Sequence, residues 1–124
     1  MKDTMKDTII IDGIEYVRAD SVYTLAQQLD GMTYVIVRSD RAGVFAGYLA
    51  KRDGQEVSLR NVRRLWYWDG AASLSQLATD GVSKPDNCKF SVPVPEQTVL
   101  TVIEVIPASE KARLSVQSVK QWKS

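Results

Sequence analysis

The 124-residue chain contains no histidine. This removes the usual general base near neutral pH and the commonest zinc ligand. It also excludes Ser-His-Asp and Cys-His nucleophilic machinery as ordinarily built. A single cysteine, Cys88, allows no intrachain disulfide and no four-thiolate metal site. Neither a Gly-x-x-x-x-Gly-Lys-Ser/Thr loop for a triphosphate nor a Gly-x-Gly-x-x-Gly dinucleotide fingerprint is present. No metal and no cofactor are therefore expected. The apolar runs fall far short of the ~20 residues of a spanning helix, and nothing resembles a signal peptide. No membrane partner and a reducing cytoplasm are the corresponding expectations. Net charge is only +1, so no global basic field recruits nucleic acid.

What is present suits one folded domain over residues 1–124. A hydrophobic fraction of 44% can build a core, and a charged fraction of 25% argues against wholesale disorder. Residues 1–8 repeat one tetrad, Met-Lys-Asp-Thr, which reads as an alternative start, a cloning remnant or a disordered, frayed end, and no function is expected of it. Five Asp-Gly pairs, at Asp12, Asp30, Asp53, Asp69 and Asp80, divide the rest into short elements. Ile9 to Val17 reads as a hairpin about the first pair. From Ser21 to Leu29 an apolar stripe of Val22, Leu25, Ala26 and Leu29 predicts a helix capped by Asp20. Thr33–Arg38, Gly43–Leu49 and Glu56–Trp68 read as an antiparallel meander. A short helix is expected over Ala71–Ala78, and Val82–Pro95 reads mainly as loop. Thr98–Ile106 reads as one strand, and a last helix runs from a Ser109 cap to about Val119. The expected class is α+β, with a mostly antiparallel sheet, an N-terminal helix, a short middle helix and a C-terminal helix.

Carboxylate pairs can hydrolyse glycosidic bonds, but the acids here sit mostly in Asp-Gly turns, where a structural role suffices. Cys88 lies beside Lys89, which could lower its pKa. Without a base or an orienting partner, a lone thiol reads as structural. The chain is thus expected to bind rather than to catalyse.

The informative stretch is Arg60-Asn61-Val62-Arg63-Arg64-Leu65-Trp66-Tyr67-Trp68. Strand alternation places Arg60, Val62, Arg64, Trp66 and Trp68 on one face. A guanidinium matches phosphate oxygens, and an indole offers a surface on which a base can stack. Equally, tryptophans fill cores and arginines cover them. The wider cluster of Lys51, Arg52, Arg60, Arg63 and Arg64 reads either as a protected sheet edge or as an anion site. Asp86 and Asn87 could read a base edge or a ribose, or could simply form a turn. Lys111 and Arg113, in the first turn of the last helix, oppose its dipole unless an anion sits there.

Several of these strings together resemble a known family. They are Ala42-Gly43-Val44-Phe45-Ala46-Gly47, Arg63 to Trp68, Gly70 to Ala78 and Lys84 to Phe90. They resemble small phage proteins, among them the first-described class of Thoeris anti-defence proteins. The resemblance spans about Thr33 to Arg113. It implies a sponge that holds cyclic ADP-ribose isomers, with cyclic oligonucleotides as a further ligand class, in the host bacterial cytoplasm. It implies homo-oligomers built on dimers, hexamers among them, with sites at subunit boundaries. By the same resemblance Trp66 stacks on adenine, Asp86 and Asn87 bond the base edge, and Arg38 and Arg113 meet phosphate or ribose. Leu77 or Phe90 supplies an opposing apolar wall. Arg64 joins this set from strand geometry alone. Two other readings stand beside it: a phage protein that binds single-stranded nucleic acid, and a nucleotide-degrading enzyme.

Overall fold

The computed structural model describes residues 8–11, 14–17 and 24–124. Strands β1 (Thr8–Ile11) and β2 (Ile14–Val17) pair antiparallel, with Ile11 opposite Ile14. The helix expected over Ser21–Leu29 begins outside the described residues. From Thr24 onward the backbone runs beside the C-terminal segment: Ala26 N donates to Ala108 O at 3.0 Å, and Glu110 N donates to Thr24 O at 2.7 Å. Leu29 and Met32 then close a tight turn. Asp30 (φ 51°) and Gly31 (φ 79°) both take the left-handed region that this turn needs.

The main sheet contains β3 (Thr33–Ser39), β4 (Gly43–Asp53), β5 (Glu56–Tyr67), β6 (Lys89–Phe90), β7 (Val94–Val99) and β8 (Val102–Pro107). Its order is β6-β5-β4-β3-β8, all neighbours antiparallel, with β7 also on β5. Strands β7 and β6 share one edge of β5: β7 follows Val57 to Val62, and β6 meets Leu65 and Tyr67. Only Leu100 and Thr101 separate β7, on the β5 side, from β8, on the β3 side. Two residues span ~10 Å at most between the strand ends, so the sheet must curl until its two margins approach. Val35, Val37, Phe45, Val57, Leu59, Val62, Val99 and Val102 fill the inside of the curl.

The single strand expected over Thr98–Ile106 is therefore two strands. No glycine or proline marks the break. Thr101 adopts φ 55°, and tertiary hydrogen bonds hold it there. Ser39 Oγ donates to Leu100 O at 2.7 Å, Asp40 N to Thr101 O at 2.9 Å, and Val102 N to Gln55 O at 2.8 Å.

Two helices cover the outer face. Helix α1 (Leu74–Asp80) starts later than Ala71, because Ser73 caps it by accepting from Gln76 N at 3.1 Å. Gln76 Oε1 reaches back past the cap and accepts from Ala72 N at 2.8 Å, a one-residue-shifted relative of the capping box. Helix α2 (Glu110–Ser118) starts at the expected Ser109 cap, which accepts from Ala112 N at 3.0 Å. Leu77, Ala78, Ala112 and Val116 pack on Tyr34, Ile36, Ala46, Leu65 and Phe90 as a second core. The segment Val82–Pro95, read mainly as loop, includes a 3-10 turn at Pro85–Asn87, the short β6 and the start of β7. The α+β class with a mostly antiparallel sheet thus holds.

Candidate functional site

The site is set by an irregularity in β5. Arg60 opposes Tyr48 while Arg63 opposes Ala46, so β5 spends three steps where β4 spends two. Asn61 absorbs the extra residue with φ 50°, a conformation that asparagine tolerates better than most residues. The bulge reverses the alternation. Val57 and Leu59 face the inside of the curl before it, and Val62 does so after it. Arg60 is thereby removed from the expected five-residue face and lies near Glu96, at 3.9 Å. The strand also ends at Tyr67, so Trp68 leaves the face as well. What remains is Val62, Arg64 and Trp66, running from the interior of the curl onto open surface.

Arg64 is positioned at both ends. Its amide donates to Ser91 Oγ at 2.8 Å, and its carbonyl accepts from Ser91 N at 2.9 Å. Its guanidinium lies over the Phe45 ring, 4.8 Å from the centroid. Among the described residues no carboxylate forms an ion pair with it. Two steps on, Trp66 is 64% exposed, far from the behaviour of a core tryptophan. Trp122, 50% exposed, stands nearly parallel to it, with centroids 6.3 Å apart and planes 15° apart. The C-terminal segment brings Trp122 there: Gln121 bridges Phe90 in parallel, and Trp122 N donates to Phe90 O at 2.9 Å. Lys89 Nζ lies 5.4 Å from the Trp122 ring centroid. Arg64, Trp66, Ser91, Val92, Trp122 and Lys123 line a groove of about 370 Å³.

Of the residues expected at a ligand, the groove brings together only Arg64 and Trp66. Leu77 and Phe90, expected as an apolar wall, are instead fully buried in the core between helices and sheet. Arg38 spends its charge on Glu104 across the β3–β8 pair, with Nε–Oε1 at 2.9 Å. Arg113 binds Glu110 through both ends of its guanidinium and also reaches Tyr48 Oη at 3.4 Å and Gln117 Oε1 at 3.2 Å. Hydrogen bonding to Arg113, then to the Gln27 amide, holds the Glu110 carboxyl down at about 2. Lys111 lies 3.8 Å from Asp80. The cations of the first turn of α2 are thus answered within the chain, and the hint of an anion at that helix start is removed. Asp86 and Asn87 lie on the 3-10 turn, where Asn87 Nδ2 donates to Asp69 Oδ2 at 3.1 Å. Cys88 beside them is buried, and that burial pushes its thiol pKa up, against a reactive thiolate.

Trp122, Lys89, Ser91 and Lys123 carried no local signal in the sequence. Lys89 and Ser91 become neighbours of Trp66 through the pairing of β6 with β5, and Trp122 and Lys123 through the Phe90–Gln121 bridge. Arg63 was expected on a ligand-facing strand, yet it is 5% exposed and points into the structure. Its Nε donates to Ser91 O, one terminal nitrogen to Val116 O and Val119 O, and the other to Phe90 O and Lys120 O, at 2.7 to 3.4 Å.

The fold and the groove define a small α+β domain that carries an exposed aromatic and cationic face. Residues 32–116 match the family described as a domain of unknown function, DUF6948, and the chain belongs to that family. No curated protein matches the chain, and no solved structure does.

Proposed function

We propose that this protein binds a nucleotide-type ligand and holds it without turning it over. In this reading the base stacks on Trp66, the phosphate meets Arg64, and Lys89 and Lys123 add positive potential. The observation that carries it is the pair of exposed, nearly parallel indoles beside a guanidinium that no described carboxylate neutralises. Exposed tryptophans of this kind are unfavourable in water unless something covers them, and base stacking is worth about 1–3 kcal/mol per base. The absence of histidine from the sequence fits retention better than turnover. The resemblance to Thoeris anti-defence proteins supplies the biological form of the proposal. The protein acts as a homo-oligomeric sponge in the host bacterial cytoplasm, and it sequesters cyclic ADP-ribose-type signals, with cyclic oligonucleotides as a second ligand class.

Calorimetry with cyclic ADP-ribose isomers and cyclic oligonucleotides tests this. Binding should stabilise the fold against heat, and the ligand should be recovered intact by mass spectrometry after denaturation. Trp66→Ala should weaken binding by about 1–3 kcal/mol. Absence of heat and of thermal shift with every ligand sinks the proposal, and a hydrolysed ligand replaces retention by catalysis. Binding to oligonucleotides that falls steeply with salt instead favours a single-stranded nucleic-acid protein, which would use the same indoles.

A further inference from the structure

A cavity lies away from Trp66 and Trp122, between the C-terminal end of α2 and the segment that enters β7. It measures about 630 Å³, within the range of small-molecule pockets, and shares no lining residue with the Trp66 groove. Three features bear on what it could hold. First, no carboxylate lines it, while Arg63 and Lys120 do. All five Arg63 N–H groups are taken by carbonyls, which supply dipoles but no formal negative charge. Among the described residues neither Arg63 nor Lys120 forms an ion pair. The cavity therefore sits in an unneutralised positive field.

Second, its remaining polar groups are set to donate. Tyr34 lines the cavity at 1% exposure, and no hydrogen bond among the described residues uses its hydroxyl. Burial keeps that hydroxyl protonated, so it has a proton to give and nothing described to receive it. The oxygen of Gln117 already accepts from Arg113 at 3.2 Å, which leaves its NH₂ group to donate. Third, the β5 bulge places Asn61 on the cavity wall, where its side-chain amide adds a further donor. Pro93 and Val119 provide apolar flanks.

We propose that this cavity is a second ligand site, which takes a small molecule with an oxyanion head, carboxylate or phosphate, on an apolar body. Tyr34, Gln117 and Lys120 receive the head, and the Pro93 side receives the body. The inference is independent of the Trp66 groove.

Amide-resolved NMR titration of the full chain with phenylacetate, phenyl phosphate and neutral phenylacetamide tests it. One of the two acids should shift the Lys120 and Gln121 amides saturably, and the tighter one identifies the head group. The neutral amide should bind about tenfold more weakly, the loss of one charge-assisted hydrogen bond. Lys120→Met and Tyr34→Phe should each weaken the acid about three- to tenfold, and Trp66→Ala should leave it unchanged. Lys120 is exposed, so its variant stands even where Tyr34→Phe fails to fold. The proposal is overturned by no saturable shift with either acid, by equal binding of phenylacetamide, by wild-type affinity in Lys120→Met, or by loss of binding in Trp66→Ala.

Discussion

Arg63 and Arg64 are adjacent, chemically identical and opposite in role, and the alternation of β5 decides which is which. Arg64 faces the groove. Arg63 enters the core between helices and sheet and closes five carbonyls, two of them, Val116 O and Val119 O, at the end of α2. It works as a side-chain cap for a helix that has no basic residue in its last turn. Burial lowers its pKa, yet a guanidinium starts so high that it stays charged at neutral pH. Arg63→Met removes a donor from five carbonyls, of which Phe90 O keeps Trp122 N and Val116 O keeps Val119 N while the other three lose the guanidinium, and it should cost about 3–5 kcal/mol in denaturant unfolding. Arg63→Lys, with three donors at most, should recover only part of this. Glu110 gives a pH-dependent counterpart. Its carboxyl, ordinarily near 4.5, is held at about 2 by Arg113 and the Gln27 amide. Between those values the unfolded chain binds the proton and the folded chain does not, so stability is present above about 4.5 and is lost as pH falls through 2. Glu110→Gln should flatten the stability profile in that window while leaving its shape above pH 5 unchanged.

At the scale of elements, the sequence was legible wherever a local signal and the final hydrogen bonding agreed. Ser109 announced α2 at its cap, the Ala71–Ala78 stretch announced α1 though not its start at Leu74, and the β-branched run Thr33–Arg38 announced β3. The chain was illegible wherever tertiary partners set the backbone. Thr101 turns because Ser39, Asp40 and Gln55 hold it, and Asn61 bulges between β4 and β7. Neither position carries the glycine or proline that marks a turn from sequence alone. Gly81 is the opposite case, because the Asp80-Gly81 pair reads in the sequence only as a divider between elements, which understates its role. It takes φ 76°, and a β-carbon added there collides with Ser115 of α2. The end of α1 and the middle of α2 thus approach each other only across a missing side chain. Ser115 Oγ then accepts from Val82 N at 2.9 Å and locks the crossing. Gly81→Ala combines backbone strain with overpacking and should lower stability by about 2–4 kcal/mol. Ala substituted for Ser73 should cost only the ~1 kcal/mol of a lost cap. Equal losses in the two variants by thermal melting would falsify the claim that Gly81 sets the helix–helix approach.

At the scale of the whole molecule, the candidate site is an assembly of distant pieces, and this is why only half of it could be read. Trp66 and Arg64 come from the centre of the chain. Ser91 and Val92 come from the link between β6 and β7, and Trp122 and Lys123 from the C-terminal segment. The β5 fragment was recognisable because cations and indoles alternate within one strand. The C-terminal fragment was not, since Trp122 acquires a neighbour only when Gln121 pairs with Phe90. This construction separates binding from folding. Trp122 is half exposed and belongs to neither core, so Trp122→Ala should change stability by about 0.5 kcal/mol or less. If the two indoles grip one ring together, Trp66→Ala and Trp122→Ala should each weaken nucleotide binding by about 1–3 kcal/mol. The double variant should then lose less than the sum, because each single loss already breaks the shared grip. If instead the indoles stack only on each other, Trp122→Ala frees the inner face of Trp66 and affinity is unchanged or rises. Calorimetry on the four proteins of this cycle distinguishes a two-sided clamp from a single stacking platform, and the sign of the coupling energy decides it.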